Sequence, residues 1–255
     1  MANAYHYSNT FDDTLAARFK GILSMGFDPR QLEDLKFWLD AKHTSSIIKD
    51  INNKINRWLD RSGFNAHMVQ DTMTKQPLYI ANAINSKPGI RFDGVDDAMV
   101  ATITSLGALT VMMVASSNAN PAPISNVQAF LATAPAGASI QGWSITGKSV
   151  ISQTERRLRS EGNFSSQHYK NGIAGTAGSN PGTATDLELS VPFISASEFS
   201  GGTAKTELHL AELQSGSHRG MHDFGEILIF GRILPASQRK ILESYLSAKW
   251  AISLQ

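Results

Sequence analysis

From residue 35 onward the chain consists of short apolar runs, each ended by turn residues before it is long enough for a helix. Runs such as LKFWLDA, ALTVMMVAS, TELHLAEL and GEILIFGR are rich in large apolar residues, and Gly, Asn, Ser or Pro bounds them. Many short strands at close spacing are typical of an antiparallel β-sandwich or barrel rather than of βαβ units. The pattern therefore predicts one all-β domain over residues 35–255.

Two segments have helical periodicity instead. Near the C-terminal end, apolar residues recur three and four apart, which predicts a helix that packs on the β domain. These residues are Ile241, Leu242, Tyr245, Leu246 and Trp250. A second stripe lies near the N-terminus, before Gly26, and consists of Leu15, Phe19, Ile22 and Leu23. We therefore predict an N-terminal helical arm over residues 1–34, outside the β domain.

Composition excludes several classes of partner. The 255 residues include 23 basic and 22 acidic side chains, a net charge of +1. This balance provides no basic surface for nucleic acid or for an anionic membrane. The longest apolar run, residues 111–115, is too short to cross a bilayer, and the absence of cysteine excludes disulfides and thiolate metal sites. We expect no nucleic-acid partner and no membrane insertion.

The first fifteen residues, MANAYHYSNTFDDTL, lack the basic start and the apolar stretch of a secretory signal peptide. This indicates synthesis in a cytoplasm, with any release occurring by lysis.

Three aspartates crowd one turn between two apolar stretches. In FDGVDD, Asp93, Asp96 and Asp97 surround Gly94. Clustered carboxylates are ligands that Ca²⁺ prefers, so a calcium site is one interpretation. The other is a structural turn, because Asp side chains bond nearby backbone N–H groups and Gly accepts a positive φ. The spacing is not that of an EF-hand loop, and we favour the turn. No cofactor is expected, with calcium as the disfavoured alternative.

Catalytic motifs are scarce in this sequence. No strand carries the E-x-D-x-x-E pattern of jelly-roll glucanases, and Asp186 and Glu188 form only a chance pair. His218, His222 and Asp223 would share a metal only on a helix, but the flanking residues favour a loop. No G-x-S-x-G elbow, P-loop or dinucleotide fingerprint is present. We therefore predict that the chain is not an enzyme.

The four tryptophans are the candidates for stacking on sugar rings. Trp38, Trp58 and Trp250 lie in apolar contexts that favour the core. Trp143 alone has loop-like flanks, in IQGWSITG, and is therefore the candidate ligand-binding residue.

Six segments, in this order, resemble one family of domains. They are LKFWLDA (35–41), NRWLDRSGFNAHMVQ (56–70), QPLY (76–79), INSKPGIRFDGVDDAM (84–99), HYKNG (168–172) and GEILIFGRILPASQRKILESYLSAKW (225–250). Together they resemble the concanavalin A-like, laminin-G-type jelly-roll domains common in tailed-phage virion proteins and bacterial surface proteins. The resemblance implies an antiparallel two-sheet jelly-roll sandwich. It says little about the ligand, because this scaffold hosts many functions.

The resemblance leads to a first hypothesis about function. This is a non-enzymatic virion structural protein of a tailed bacteriophage, a head decoration or a tail or fibre component, with a lectin-like sandwich that binds host-surface glycan. The alternatives are a carbohydrate-binding module of a bacterial surface protein and, less favoured, a glycan hydrolase. In the first hypothesis the protein resides in the virion, its partners are other virion proteins and further copies of itself, and the N-terminal arm mediates assembly. The residues predicted for assembly are Tyr5, Tyr7, Leu15, Phe19, Ile22 and Leu23.

Overall fold

The protein is an antiparallel two-sheet sandwich with one helix packed against it, as seen in a computed structural model. The structure describes residues 26–103, 107–118, 127–133, 144–148, 157–161, 166–175, 183–201, 206–212 and 218–255. Within these ranges the prediction of an all-β sandwich with a C-terminal helix is confirmed. The predicted N-terminal helix falls on residues outside them. No helix in the described part of the chain is long and apolar enough to pass through a bilayer.

Sheet A has eight strands in the order β13-β12-β15-β8-β17-β6-β5, with β1 also paired to β17. Its strands are β1 (Leu35–Asp40), β5 (Leu78–Ile84), β6 (Lys87–Arg91), β8 (Leu109–Ser117), β12 (Ser166–Lys170), β13 (Ile173–Ala174), β15 (Phe193–Phe199) and β17 (His222–Phe230).

Sheet B has nine strands in the order β14-β11-β10-β9-β16-β7-β4-β3-β2. They are β2 (Ile47–Lys49), β3 (Ile55–Trp58), β4 (Met68–Val69), β7 (Met99–Thr102), β9 (Val127–Ala132), β10 (Ser144–Lys148), β11 (Arg157–Glu161), β14 (Thr183–Asp186) and β16 (Glu207–Leu210). Every pairing between the strands of either sheet is antiparallel.

Strand β17 lies in the interior of sheet A and is buried along its whole length. It pairs with β8 on one side and with β6 and then β1 on the other. Phe224 faces the core, where its ring meets the edge of Phe92 at 5.4 Å and that of Phe130 at 6.1 Å. A strand buried on both faces reads as one apolar run, which explains the sequence ILIF at its end.

A β-bulge at Gly225 changes which face the following residues occupy. The register against β8 shifts between Phe224 and Glu226, so one residue of β17 has no partner. In a regular strand these two side chains, two positions apart, would share a face, and the bulge breaks this alternation. The bulge turns Glu226 away from the core and towards the helix. Glycine is required here because a Cβ at this position would lie 2.8 Å from the Trp250 ring.

The C-terminal helix α1 (Ala236–Trp250) packs on the outer face of sheet A. Leu242, Leu246 and Trp250 are fully buried, whereas Ile241, which we had placed in the contact, is only partly buried. The stripe also buries an ion pair, in which Arg239 Nη1 donates to Glu243 at 2.8 Å. Charged residues therefore share the contact face, which apolar periodicity alone does not reveal.

The first described residues pack on the same side of the sandwich. Asp28 caps a single 3₁₀ turn over Pro29–Gln31, accepting a bond from the Arg30 backbone N–H. The Phe27 ring meets the Tyr245 ring edge-on at 5.4 Å. Residues 27–31 of the predicted arm are therefore in contact with the sandwich.

Candidate functional site

A groove of about 570 Å³ runs across the outer face of sheet B, over β4 and β7. Side chains alternate between the two faces of a strand, so Met68 is buried while His67 and Val69 face outward. On β7, Ala101 is buried while Val100 and Thr102 line the groove. Asn65, Gln70 and Asp71 complete the lining.

The strand register gives the groove an apolar floor. Val69 pairs with Val100, and the row continues to Arg57 on one side and to His209 on the other. The two half-buried valines therefore lie side by side between polar residues. A small apolar floor with a few polar groups around it is the usual composition of a small-molecule site.

The best-positioned polar group is the imidazole of His67. Its Nδ1 accepts a hydrogen bond from the Asp60 backbone N–H at 3.0 Å. The neutral ring therefore carries its proton on Nε2, since Nδ1 is used as an acceptor. No described residue bonds Nε2, so this N–H is available to a ligand in the groove.

Buried Asp60 holds the loop that carries His67. One carboxylate oxygen accepts the backbone N–H groups of Trp38 and Ser62, both at 2.9 Å. The other accepts the Ser62 hydroxyl at 2.7 Å and the Ala66 N–H at 3.1 Å. Four bonds to one carboxylate fix the backbone on both sides of the loop. The imidazole is thereby positioned before any ligand arrives.

Two further side chains define the end of the groove. Gln70 is structural, because its amide donates to the Ala98 carbonyl at 2.7 Å and accepts from the Thr72 N–H at 3.0 Å. Asp71 is exposed and accepts one bond from Arg57 Nη1 at 2.7 Å. Its carboxylate has further acceptor capacity for hydroxyl groups.

The motifs considered in the sequence do not include this groove. The alternation in NAHMVQD was a readable signal, because polar His67 and Asp71 flank Val69 on one face while Ala66 and Met68 occupy the other. What the sequence does not show is that β4 pairs with β7, whose residues come about thirty positions later.

The three aspartates form a turn, as their spacing indicates. Asp93 Oδ1 accepts the backbone N–H groups of Val95 at 2.8 Å and of Asp96 and Asp97 at 3.2 Å. Asp97 returns a bond by accepting the Asp93 N–H at 3.0 Å. Gly94 has a φ of +75°, which a glycine adopts without strain. These bonds account for the residue types in FDGVDD.

The same carboxylates also lie close to one another and to a lysine. One oxygen from each of the three aspartates lies within 4.8 Å of the others. Lys54 Nζ lies 3.9 Å from Asp97 Oδ1, so the chain itself places a cation beside the cluster. Burial, followed by the charge of Asp93, raises the pKa of Asp97 to about 7. Our expectation that the cluster holds no calcium remains a prediction.

A buried charge network lies on the opposite side of the molecule, where Glu226 accepts four hydrogen bonds beneath α1. Trp38 Nε1 at 2.9 Å and the Tyr245 hydroxyl at 3.1 Å donate to one oxygen. Lys249 Nζ and Trp250 Nε1, each at 2.7 Å, donate to the other. Burial raises the pKa of Glu226, and the charge of Lys249 opposes this.

Lys249 connects Glu226 to a second buried carboxylate. It also donates to Asp40 and to the Tyr245 hydroxyl, both at 2.8 Å, so its three N–H groups are all used. Arg61 donates to the same Asp40 oxygen at 2.8 Å. These bonds join β1, β17 and α1, which makes the network a structural anchor. The depression of about 290 Å³ above it is lined by Trp38, Asp40, Arg61 and Tyr245 of this network, together with residues 26–29, Lys42 and His43.

The remaining predicted site residues separate into two groups. Trp143 and the assembly residues Tyr5, Tyr7, Leu15, Phe19, Ile22 and Leu23 lie outside the described residues. Of the others, Trp38, Trp58 and Trp250 are buried, as expected.

The histidines considered for a metal site do not meet there. His222 stacks on Phe130 with ring centroids 3.8 Å apart, and burial lowers the pKa of His222 to about 3. Asp223 lies on the opposite face of β17 and accepts two bonds from Arg91, at 2.7 and 2.8 Å.

Comparison with known proteins identifies the fold but no family. No protein-family model and no curated protein sequence matches the chain. Among solved structures, it is similar to the sialidase of Trypanosoma rangeli in complex with 2,3-difluorosialic acid. The TM-score is 0.51 and the identity 11%, covering 94% of this chain and 39% of that one.

Two further structures with TM-scores below 0.5 are similar. A GH54 α-L-arabinofuranosidase gives 0.48 with 13% identity, covering 77% of this chain and 51% of that one. The botulinum neurotoxin type G receptor binding domain has a TM-score of 0.47 and 10% identity, and the match covers 84% of this chain and 51% of that one. The chain thus spans between 39% and 51% of the length of these three structures.

Our prediction that the chain is not an enzyme was wrong. It rested on a missing carboxylate motif, but the sialidase match places the same sandwich fold within the chain of a glycosidase. One fold can carry different catalytic motifs. The absence of the E-x-D-x-x-E motif is therefore compatible with a relationship to glycan-acting enzymes. At 11% identity the match shows the shared fold alone. The chain is a β-sandwich of the kind found in a sialidase.

Proposed function

We propose that the chain is a carbohydrate-binding β-sandwich module displayed on the particle of a tailed bacteriophage, with the groove on sheet B as its binding surface. The observation that carries the proposal is the groove itself, in which a fixed imidazole N–H stands beside two adjacent valines. Sugars present hydroxyl groups at their edges and apolar C–H groups on their faces, and this arrangement accommodates both.

Affinity for a sugar at this groove depends on preorganisation of its loop. A protein that must order a loop to bind a sugar loses affinity in proportion to the entropy of ordering. Here the four bonds to Asp60 order the loop in advance. His67 then adds a directed donor, and the exposed carboxylate of Asp71 adds an acceptor for a hydroxyl.

Binding is tested by titrating the labelled protein with methyl glycosides and following amide chemical shifts. We expect the shifts to map to β4 and β7. Thr102→Trp should abolish binding, because position 102 is exposed and an indole there fills the groove without entering the core. His67→Ala should weaken binding, and His43→Ala is the matched control, since His43 is exposed and lies outside the groove.

The outcomes separate clearly. Shifts at β4 and β7 that are lost in Thr102→Trp support the proposal. Binding that persists in this variant, or the absence of binding to every glycoside, overturns it. The same panel includes chromogenic glycosides, because the fold is shared with a sialidase, and release of the chromophore would identify a hydrolase.

The phage assignment is supported by the resemblance of the six sequence segments to virion domains. On this proposal the N-terminal residues Tyr5, Tyr7, Leu15, Phe19, Ile22 and Leu23 attach the sandwich to other virion proteins or to further copies of itself. Phe27 packs on Tyr245, so a truncation after residue 25 retains that contact.

Deletion of residues 1–25 should leave a sandwich with an unchanged melting temperature that sediments as a monomer, whereas the full chain self-associates. Full-length and truncated proteins with the same sedimentation behaviour would contradict the assembly role. Labelling the native particle with an antibody to the sandwich tests its location.

A further inference from the structure

We infer that the groove on sheet B takes an uncharged sugar and discriminates against sialic acid and other acidic sugars. The inference rests on the proposed function and specifies its ligand. It is carried by the charges around the groove: no lysine or arginine is among its described lining residues, and Arg57 and Arg219 beside it each contact a carboxylate.

At one end of the groove, the available positive charge belongs to Arg57. Its Nη1 donates to Asp71 at 2.7 Å, and the Asp71 side chain is 75% exposed. The pair therefore presents its carboxylate towards solvent beside the groove. An incoming carboxylate would meet Asp71 before it could reach the guanidinium.

On the side of the groove formed by β16, Glu207 and Glu212 contact the nearby basic side chains. Glu207 pairs with Thr102 across the strands, which places it next to the groove. His209 contacts both Glu207 and Glu212, at 3.4 and 3.2 Å. Arg219 also contacts Glu212, at 3.5 Å. Burial alone would lower the pKa of His209, but the bonds and charges of Glu212 and Glu207 together raise it.

His67 supplies a directed hydrogen-bond donor to the groove. Its Nδ1 accepts the Asp60 N–H, which leaves Nε2–H for a ligand. The ring can therefore bond one hydroxyl or carbonyl oxygen of a sugar through Nε2–H.

These features favour a neutral pyranose. Its C–H face can lie on Val69 and Val100, one hydroxyl can accept from His67, and another can donate to Asp71. An acidic sugar would bring its charge close to Asp71 and Glu207 without gaining an unpaired cation. Charges partly removed from water need such a partner.

The experiment compares the affinity of the full chain for neutral methyl hexosides and N-acetylhexosaminides with that for N-acetylneuraminic acid and glucuronic acid. We expect neutral sugars to bind roughly two- to fivefold more tightly, a difference comparable with one exposed charge contact. Asp71→Lys should reverse part of this preference, because it releases Arg57 and adds a cation. Glu33→Lys is the control, because it makes the same charge change at an exposed position outside the groove.

Tighter binding of the acidic sugars to the wild-type protein, abolished by Thr102→Trp, would overturn this inference and leave the proposed function standing. An unchanged preference in Asp71→Lys would also overturn it. Failure of every sugar to bind would overturn the proposed function and the inference together.

Discussion

Glu226→Gln is the substitution that most directly tests the buried network beneath α1. The change preserves the shape of the side chain but replaces one acceptor oxygen with an NH₂ group. Each oxygen of Glu226 now accepts two donors. At least one buried indole N–H, from Trp38 or Trp250, or the Lys249 ammonium must therefore lose its acceptor.

The magnitude follows from the kinds of group left without partners. A buried donor that loses its acceptor costs about 1–3 kcal/mol, and breaking a buried ion pair costs about 3–5 kcal/mol. Asp40 still neutralises Lys249, which limits the loss. We therefore expect the free energy of unfolding to fall by about 1–3 kcal/mol, the cost of the buried donor that loses its acceptor. For a domain of this size that corresponds to a decrease in melting temperature of roughly 2–12 °C.

Urea unfolding followed by tryptophan fluorescence measures the change, because Trp38 and Trp250 both contact the site. Glu188→Gln is the control, since Glu188 is exposed and its replacement should alter stability by less than about 0.5 kcal/mol. A loss below about 1 kcal/mol in Glu226→Gln would refute the argument, because it would mean that the four bonds contribute little.

Three further predictions concern other parts of the molecule. Trp250→Ala removes a fully buried indole and should cost about 3–5 kcal/mol, so an unchanged melting temperature would contradict the packing of α1. Because the folded-state pKa of Asp97 is raised to about 7, its contribution to stability is complete below about pH 4 and is lost as the pH rises through 7. Asp97→Asn should flatten this part of the stability–pH curve, and a wild-type curve without the decline would count against the raised pKa. Millimolar calcium should leave the melting temperature of the wild type unchanged, because Lys54 already supplies a cation, whereas a rise that Asp96→Ala abolishes would show a calcium site.

How much the sequence could predict depended on the distance between interacting residues. The turn at the aspartates was predictable because the bonds that Asp93 and Asp97 accept from its backbone join residues at most four positions apart. Strand alternation and the helical stripe near Trp250 are likewise local patterns, and both predicted elements are present. The two sheets and the helix that packs on them follow from these local patterns and from the turn residues between the strands.

The buried network around Glu226 and the groove on sheet B were not predictable in the same way. Glu226 reads as a lone acid in an apolar strand, and only the bulge at Gly225 explains why it faces a helix. Its partners lie up to 188 positions away in the sequence. The groove needed the pairing of β4 with β7, whose residues come about thirty positions later in the sequence.

The loop held by Asp60 connects the two sides of the molecule and accounts for their separate roles. Its carboxylate accepts the backbone N–H of Trp38 in sheet A and, through the adjacent loop, fixes His67 beside sheet B. The Trp38 indole in turn donates to the fully buried Glu226, so one residue bonds both the loop that positions His67 and the buried network. The anchor can therefore be rigid and closed to solvent while the groove stays open. In a scaffold built in this way, the groove side chains at 69, 71, 100 and 102 can be substituted without disturbing the bonds of Asp60 and Glu226. This property is expected of a recognition surface on a stable sandwich.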